Sequence, residues 1–171
     1  MQDDRAPTAP VRAARESDLA AMLAIINDAI LNTTAWYDYS AWGTAEVEAW
    51  FAAKRADNWP VLVALAADGA VAGFGSLSSF RGRAAYRYTA EHSVYVGAAQ
   101  RGRGFGRALL AALVDEARAM GFHTLIGGVD AENEGSLAFH RALGFAEAGR
   151  MREVGWKFDR WLSLVFMQKI L

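Results

Sequence analysis

The chain of 171 residues contains no cysteine. That excludes disulfides, zinc–thiolate centres and a cysteine nucleophile in one step. Net charge is also nearly missing: 18 Lys and Arg against 19 Asp and Glu give a formal −1. No global field therefore points to DNA, RNA or an acidic membrane surface. Long apolar runs are lacking too. The longest, such as "VLVALAA" (Val61 to Ala67), are too short to span a bilayer. The opening "MQDDRAPTAP" carries acids and two prolines but no apolar stretch. It reads as a flexible tail over residues 1–10, not as a secretion signal. No repeat, low-complexity run or interdomain linker follows. What remains is an ordinary globular balance, 53% hydrophobic and 22% charged, in a length that suits one domain over residues 11–171. A cytoplasmic location is the default expectation.

Periodicity supplies the elements. "VRAA" suits a short strand, and "ESDLAAMLAIINDAILN" has helical spacing with Ser17 placed to cap it. Thr44 is the expected cap of a second helix, "TAEVEAWFAAKRA". Three strands come next: "VLVALA", "AVAGFGSLSSF" entered through a Asp68-Gly69 turn, and "YTAEHSVYV". A helix from about Gly104 to Met120, the strand "HTLIGGVD" and a helix "NEGSLAFHRAL" capped near Asn133 precede two final strands joined around "GWKFDRW". The order β-α-α-β-β-β-α-β-α-β-β predicts a mixed α/β fold, with helices on the faces of one sheet.

The informative stretch lies between a strand and a helix. Residues 101 to 107, "RGRGFGR", hold three glycines and three arginines. A helix N-terminus presents unpartnered N–H groups and about half a positive charge, and glycines admit a ligand to the backbone. Arg101, Arg103 and Arg107 add donors suited to phosphate. A Walker A loop would need a Lys after the glycines, and none follows. A Rossmann fingerprint fails as well: Gly102, Gly104 and Gly106 lie two apart, Arg107 holds the third glycine's place, and no acidic ribose partner follows about 20 residues on. Both nucleotide readings fall.

Arg101, Gly104 and Gly106 do fit [Q/R]-x-x-G-x-[G/A], the pyrophosphate loop of the GNAT superfamily of N-acetyltransferases, which this chain resembles. "NEGSLAFHRALGF" is similar to a second GNAT signature, and the element order agrees throughout. "AYRYTAEHSVYV", "HRALGF" and the late "GWKFDRWLSLVFMQ" resemble the phosphinothricin and methionine sulfoximine acetyltransferases, over nearly the whole chain from Val11. The resemblance implies a mostly antiparallel, twisted sheet of about seven strands flanked by about four helices. It also implies acetyl-CoA as co-substrate, a small amino acid or analogue as acceptor, and a homodimer.

Residue roles follow from that resemblance. The loop Arg101, Gly102, Arg103, Gly104, Phe105, Gly106 and Arg107 would hold the CoA pyrophosphate, and Val94, Tyr95 and Val96 would pair with the pantetheine arm. The backbone N–H of Tyr95 or Val96 is the implied oxyanion donor. Asn133 and Ser136 are implied cofactor contacts, with simple helix capping as the alternative. Acetyl transfer to an amine needs a base, and without cysteine direct attack in a ternary complex is the economical route. Strand alternation sets Glu91, Ser93 and Tyr95 on one face, and Glu91 is the expected base. An edge glutamate facing solvent is its bland alternative. His140, where many relatives have tyrosine, is the candidate acid that protonates the leaving thiolate; a packing or surface histidine is equally admissible. Trp36, Arg81, Gly82, Arg83, His92 and Ser93 are the implied acceptor-side residues, with Arg81 and Arg83 suited to a carboxylate or phosphinate unless they are merely solvated. His92 and His123 have no motif partner, and no metal site is expected. Most of the six tryptophans should lie in the core or at a dimer interface. Two other readings stay open: an idle acyl-CoA sensor, which would need neither Glu91 nor His140, and a peptide or protein N-terminal acetyltransferase, which would need an open groove.

Overall fold

The computed structural model describes residues 9–171. Its elements follow the expected order: β1 (Val11–Ala13), α1 (Leu19–Asn32), α2 (Thr44–Ala56), β2 (Val61–Leu65), β3 (Val71–Ser79), β4 (Thr89–Val96), α3 (Phe105–Ala119), β5 (Thr124–Asp130), α4 (Glu134–Ala142), β6 (Ala146–Lys157) and β7 (Arg160–Ile170). Seven strands form one sheet in the order β1-β2-β3-β4-β5-β7-β6. Every neighbouring pair is antiparallel except β4 and β5. Most of the expected tail falls on residues 1–8, outside the described residues. Pro10 already belongs to the fold, because its carbonyl accepts the N–H of Leu65 at 2.9 Å.

Each face of the sheet carries its own apolar layer. One holds Met22, Ile26 and Ile30 of α1 and Phe51 of α2 against Val63 and Phe74. The other packs Leu109, Leu110 and Leu113 of α3 and Leu137 of α4 on Leu125, Val165 and Met167. Gly75 permits the close approach of α3: a Cβ there would stand 2.8 Å from Leu113 Cδ1.

Two capping expectations are corrected. Ser17 does not cap α1; it lies in a short 3-10 turn over Glu16–Asp18. Asp18 takes the polar role there, accepting from Arg12 Nη1 at 2.7 Å and from the Arg15 N–H at 2.8 Å. A carboxylate with two charge-assisted donors outcompetes a hydroxyl for that corner. Thr44 is the first residue of α2, and Gly43 is its cap, its N–H bonded to Glu46 Oε2 at 2.9 Å. Asn133 behaves as expected, accepting from the Ser136 N–H at 3.0 Å.

Candidate active site

The site begins where two strands part. β4 and β5 pair only at Thr89–Thr124, Ala90–Leu125 and Glu91–Ile126. Beyond Glu91, β4 stays on β3 as far as Val96, while β5 stays on β7 as far as Asp130. Parallel strands that diverge leave backbone groups without sheet partners, and a cleft opens between them. The ladder shows which groups these are. Tyr88 O accepts from Thr124 N on the β5 side, whereas Gly97 N donates to Ala72 O on the β3 side. By alternation, the backbone groups of His92, Val94 and Val96 face the cleft and those of Tyr95 face β3. Of the two N–H groups expected as oxyanion donors, that of Val96 therefore faces the cleft and that of Tyr95 faces β3.

The glycine loop lies at one mouth of this cleft. Gly102 and Gly104 have φ of +74° and +88°, a region that side-chain-bearing residues avoid. Gly104 is the cap of α3, and a Cβ at either glycine would find nothing within 4 Å. The backbone is open to a ligand at the positive end of a fifteen-residue helix. A cavity of about 630 Å³ runs from here past Val94, Val96 and Phe139. These features fit a pyrophosphate and its attached arm. The arginines are partly engaged elsewhere. Arg101 pairs with Asp28 of α1 at 2.9 Å and donates to Val96 O at 3.2 Å. Arg103 donates to Gln100 Oε1 at 2.6 Å. Arg107 is exposed on the first turn of α3 and borders the cavity, while Phe105 is buried beneath it. Gly106 packs closely, its Cβ position 3.6 Å from Val96 Cγ2.

A second cavity, of about 300 Å³, lies deeper between the strands. Both cavities are bordered by Val94, Tyr95, Asn133, Ser136 and Phe139, so the two spaces adjoin. Glu91, His92, Ser93, Trp36 and His140 line the deeper one. Burial pushes the Glu91 carboxyl above the ordinary carboxylate range, with the charges of Lys54 and Arg81 opposing the shift. Tyr95 is pushed up to about 12, chiefly by burial, so its hydroxyl stays neutral. Trp36 packs on Tyr95 at a tilt, with ring centroids 4.9 Å apart and planes at 41°. Arg81, Gly82 and Arg83 are exposed and outside the walls of this cavity. Among them, Arg81 reaches Glu91 through its charge alone.

His140 is arranged differently from a proton donor. Its Nδ1–H bonds to the carbonyl of Ser136 at 2.7 Å, which leaves the lone pair of the neutral ring on Nε2. Burial lowers its pKa, against the opposing effect of the Ser136 carbonyl. The imidazolium expected from the sequence is thus disfavoured, because a buried ring resists gaining charge. His92 stacks beside it, centroids 5.1 Å apart and planes 25° apart. Burial, and then the charge of His140, push His92 down to about 3. Neither ring nitrogen of His92, nor Nε2 of His140, has a hydrogen-bond partner among the described residues.

The sequence profile of the Acetyltransferase (GNAT) family matches residues 27–145. The chain belongs to the GNAT acetyltransferase family. It is 45% identical over 161 residues to a L-methionine sulfoximine/L-methionine sulfone acetyltransferase of Pseudomonas paraeruginosa, covering 94% of each chain. A GNAT superfamily phosphinothricin acetyltransferase from Sinorhizobium meliloti, solved in complex with AcCoA, superposes with a TM-score of 0.93 at 39% identity, over 96% of this chain and 89% of that one. A structure described as a ribosomal-protein-alanine N-acetyltransferase from Brucella melitensis superposes at 0.92 with 46% identity, over 95% and 99%.

Sequence reading of this acetyltransferase missed Gly127, whose role comes from packing. A Cβ there would stand 2.4 Å from His92 Nε2 and 3.2 Å from His140 Nε2. The signal was available: paired glycines inside an apolar strand mark a close approach. Gly127→Ala is expected to displace the stacked rings, lowering stability by about 1–3 kcal/mol as overpacking does and reducing kcat in the folded fraction. Thermal melts and steady-state rates test both. A variant with wild-type Tm and kcat would show that the rings have slack.

Proposed function

We propose that this acetyltransferase moves the acetyl group of acetyl-CoA to the α-amine of a small amino acid or amino-acid analogue of the methionine sulfoximine or phosphinothricin kind. The observation that carries this reading is the position of Glu91. It lines a small cavity that adjoins the glycine-loop channel, and its carboxyl is made more basic by burial. Gly102, Gly104, Gly106 and the start of α3 are assigned to the pyrophosphate, and Val94 and Val96 to the arm and the thioester carbonyl. Glu91 takes a proton from the acceptor's ammonium; the freed amine attacks the carbonyl carbon and forms the C–N bond, and as the C–S bond breaks the surplus proton on nitrogen passes to the departing sulfur, which leaves as the CoA thiol. His140, neutral, with Nδ1–H on the Ser136 carbonyl and Nε2 buried against Gly127, is assigned to hold the cavity wall. That replaces the role of acid. Asn133 and Ser136 fix the start of α4 at the cavity wall.

The acceptor's carboxylate is assigned to the neighbourhood of Glu91, whose carboxyl feels the charges of Lys54 and Arg81 although neither residue lines the cavity. Arg83 has no comparable link. Protein N-terminal acetylation is the rival reading, favoured by the description of the Brucella relative. The deeper space of about 300 Å³, bordered by Trp36 and Tyr37, favours a small acceptor. A thiol-release assay decides between them. Methionine sulfoximine, phosphinothricin and free amino acids should react, while their decarboxylated amines and N-terminal peptides should react poorly. Preferential turnover of peptides would overturn the proposal; binding of acetyl-CoA without any turnover would favour a sensor.

Assembly belongs to the same proposal. Val154, Trp156, Phe158 and Trp161 are exposed along the β6–β7 hairpin, an apolar surface of the kind that homodimers cover. We assign a homodimer to that face, acting in the cytoplasm where acetyl-CoA is supplied.

A further inference from the structure

Lys157 is among the most buried charged residues described, with 4% of the residue's surface exposed. It ends β6, far in sequence from the glycine loop and from Glu91. Its Nζ donates to the backbone carbonyl of Trp36, 121 positions earlier. An ammonium removed from water is costly unless something holds it. Here the carbonyl supplies a bond, Asp38 supplies opposite charge, and the ring of Phe158 lies 5.2 Å from Nζ.

Two neighbours of Lys157 grip the same loop. The hydroxyl of Tyr39 donates to the carbonyl of Trp156 at 2.6 Å. Tyr37 lies against Gly155, where a Cβ would come within 2.7 Å of its ring. Three successive residues of β6 thus meet three residues of the segment between α1 and α2. The far end of that segment is fastened separately, by a reciprocal pair: Trp42 N–H to Asn27 Oδ1 at 2.8 Å, and Asn27 Nδ2 to Trp42 O at 2.9 Å. Trp36 and Tyr37, which belong to the first of these anchors, wall the deeper cavity. The turn that follows Lys157 is itself constrained. Phe158 and Asp159 have φ of +52° and +55°, the conformation of a tight hairpin turn that normally prefers Asn or Gly.

We propose that Lys157 is a positioning residue for acceptor binding, its ammonium holding the Trp36 carbonyl so that the segment over residues 33–43 stays in place as a wall of the acceptor cavity. This rests on the reading that the deeper cavity takes the acceptor. The same segment borders the glycine-loop cavity only through Thr33 and Ala35, and neither Trp36 nor Lys157 lines it, so cofactor binding should respond less than acceptor binding. A buried ammonium kept where an apolar side chain would pack more cheaply is consistent with a role in placing the segment.

Lys157→Met removes the donor and keeps the unbranched stem, one atom shorter. Its acceptor KM should rise about tenfold, the effect of one lost charge-assisted hydrogen bond. kcat at saturating acceptor and the Kd for acetyl-CoA should change less than about threefold, and Tm should hold or rise. Lys157→Arg, which keeps a donor, should recover most of the KM. Tyr39→Phe offers a second route that does not disturb the core, and should raise KM in the same direction by a smaller factor. Trp36→Ala serves as the control for the cavity. If Trp36→Ala raises the acceptor KM while Lys157→Met and Tyr39→Phe leave it within twofold of wild type, the Lys157 proposal falls alone. If none of the three moves KM, the deeper cavity is not the acceptor site and the proposal falls with that reading.

Discussion

Glu91→Gln should lower kcat by ~10²–10⁴ at neutral pH, the usual worth of a general base, while acetyl-CoA affinity stays near wild type. An α-ammonium group is almost wholly protonated at that pH and cannot attack until it loses a proton. Glutamine keeps the shape of the side chain and removes its basicity. The deficit should shrink as pH rises and more acceptor arrives already deprotonated. Wild-type activity should also fall on the acid side at a pH above the ordinary carboxylate range, because burial raises the Glu91 pKa. Stability should move the opposite way. An acid whose pKa is raised in the folded state favours folding while it is protonated, and that contribution is lost as pH rises through the folded pKa. Glutamine never ionises, so Glu91→Gln should melt higher than wild type at pH 8, with the advantage vanishing toward pH 4. A gain of 1 kcal/mol would appear as about 2–4 °C in a chain of this size. Wild-type kcat at pH 7 would overturn the assignment, and a loss constant up to pH 10 would mean that Glu91 orients the amine without deprotonating it.

Gly104→Val should have the largest effect on cofactor affinity. Gly104 caps α3 with φ at +88°, where a β-branched residue is a severe outlier. Space is not the difficulty, since among the described residues no atom beyond its chain neighbours lies within 4 Å of the Cβ position. The backbone strain, about 1–3 kcal/mol, is relieved only by moving the loop, and the new isopropyl group would project into the cradle. A penalty of that size corresponds to roughly 5- to 150-fold in Kd at 1.4 kcal/mol per decade. Gly104→Ala should fall between. Calorimetric titration with acetyl-CoA measures the loss, with a melt to establish that each variant is folded. Unchanged affinity in a folded Gly104→Val protein would remove the pyrophosphate from this loop.

The fold was legible because its signals are local. Apolar spacing located α1 and α3, the Asn133 cap located α4, the Asp68-Gly69 turn located the β2–β3 hairpin, and the glycines marked the start of α3. Alternation along "TAEHSVYV" put Glu91, Ser93 and Tyr95 together, and the same alternation in the ladder turns their backbone groups toward β3. The caps failed where a competitor sat next door: Asp18 displaced Ser17, and Gly43 with Glu46 displaced Thr44. His140 was readable as a residue but not as a charge state, since its protonation depends on burial and on the Ser136 carbonyl. Arg101 was readable as a donor, while its partner Asp28 lies 73 positions away. Lys157 and Gly127 gave the least warning. Contacts between distant segments leave no spacing pattern in the chain.

The three-residue seam between β4 and β5 makes the enzyme mechanically two half-sheets, β1–β4 and β5–β7. Across most of that junction no ladder of bonds resists separation, and the halves are tied instead by α3, α4 and the segment that Lys157 and Tyr39 fasten to β6. A ligand lying along the unzipped part of β4 would act as a missing strand, replacing the ladder that β5 does not provide. Its grip would then register far from any point of contact. Amides of Thr124 to Ile126 should exchange more slowly when the cleft is filled, although no part of the ligand reaches them, because the joint they hold would no longer be the weakest line in the sheet.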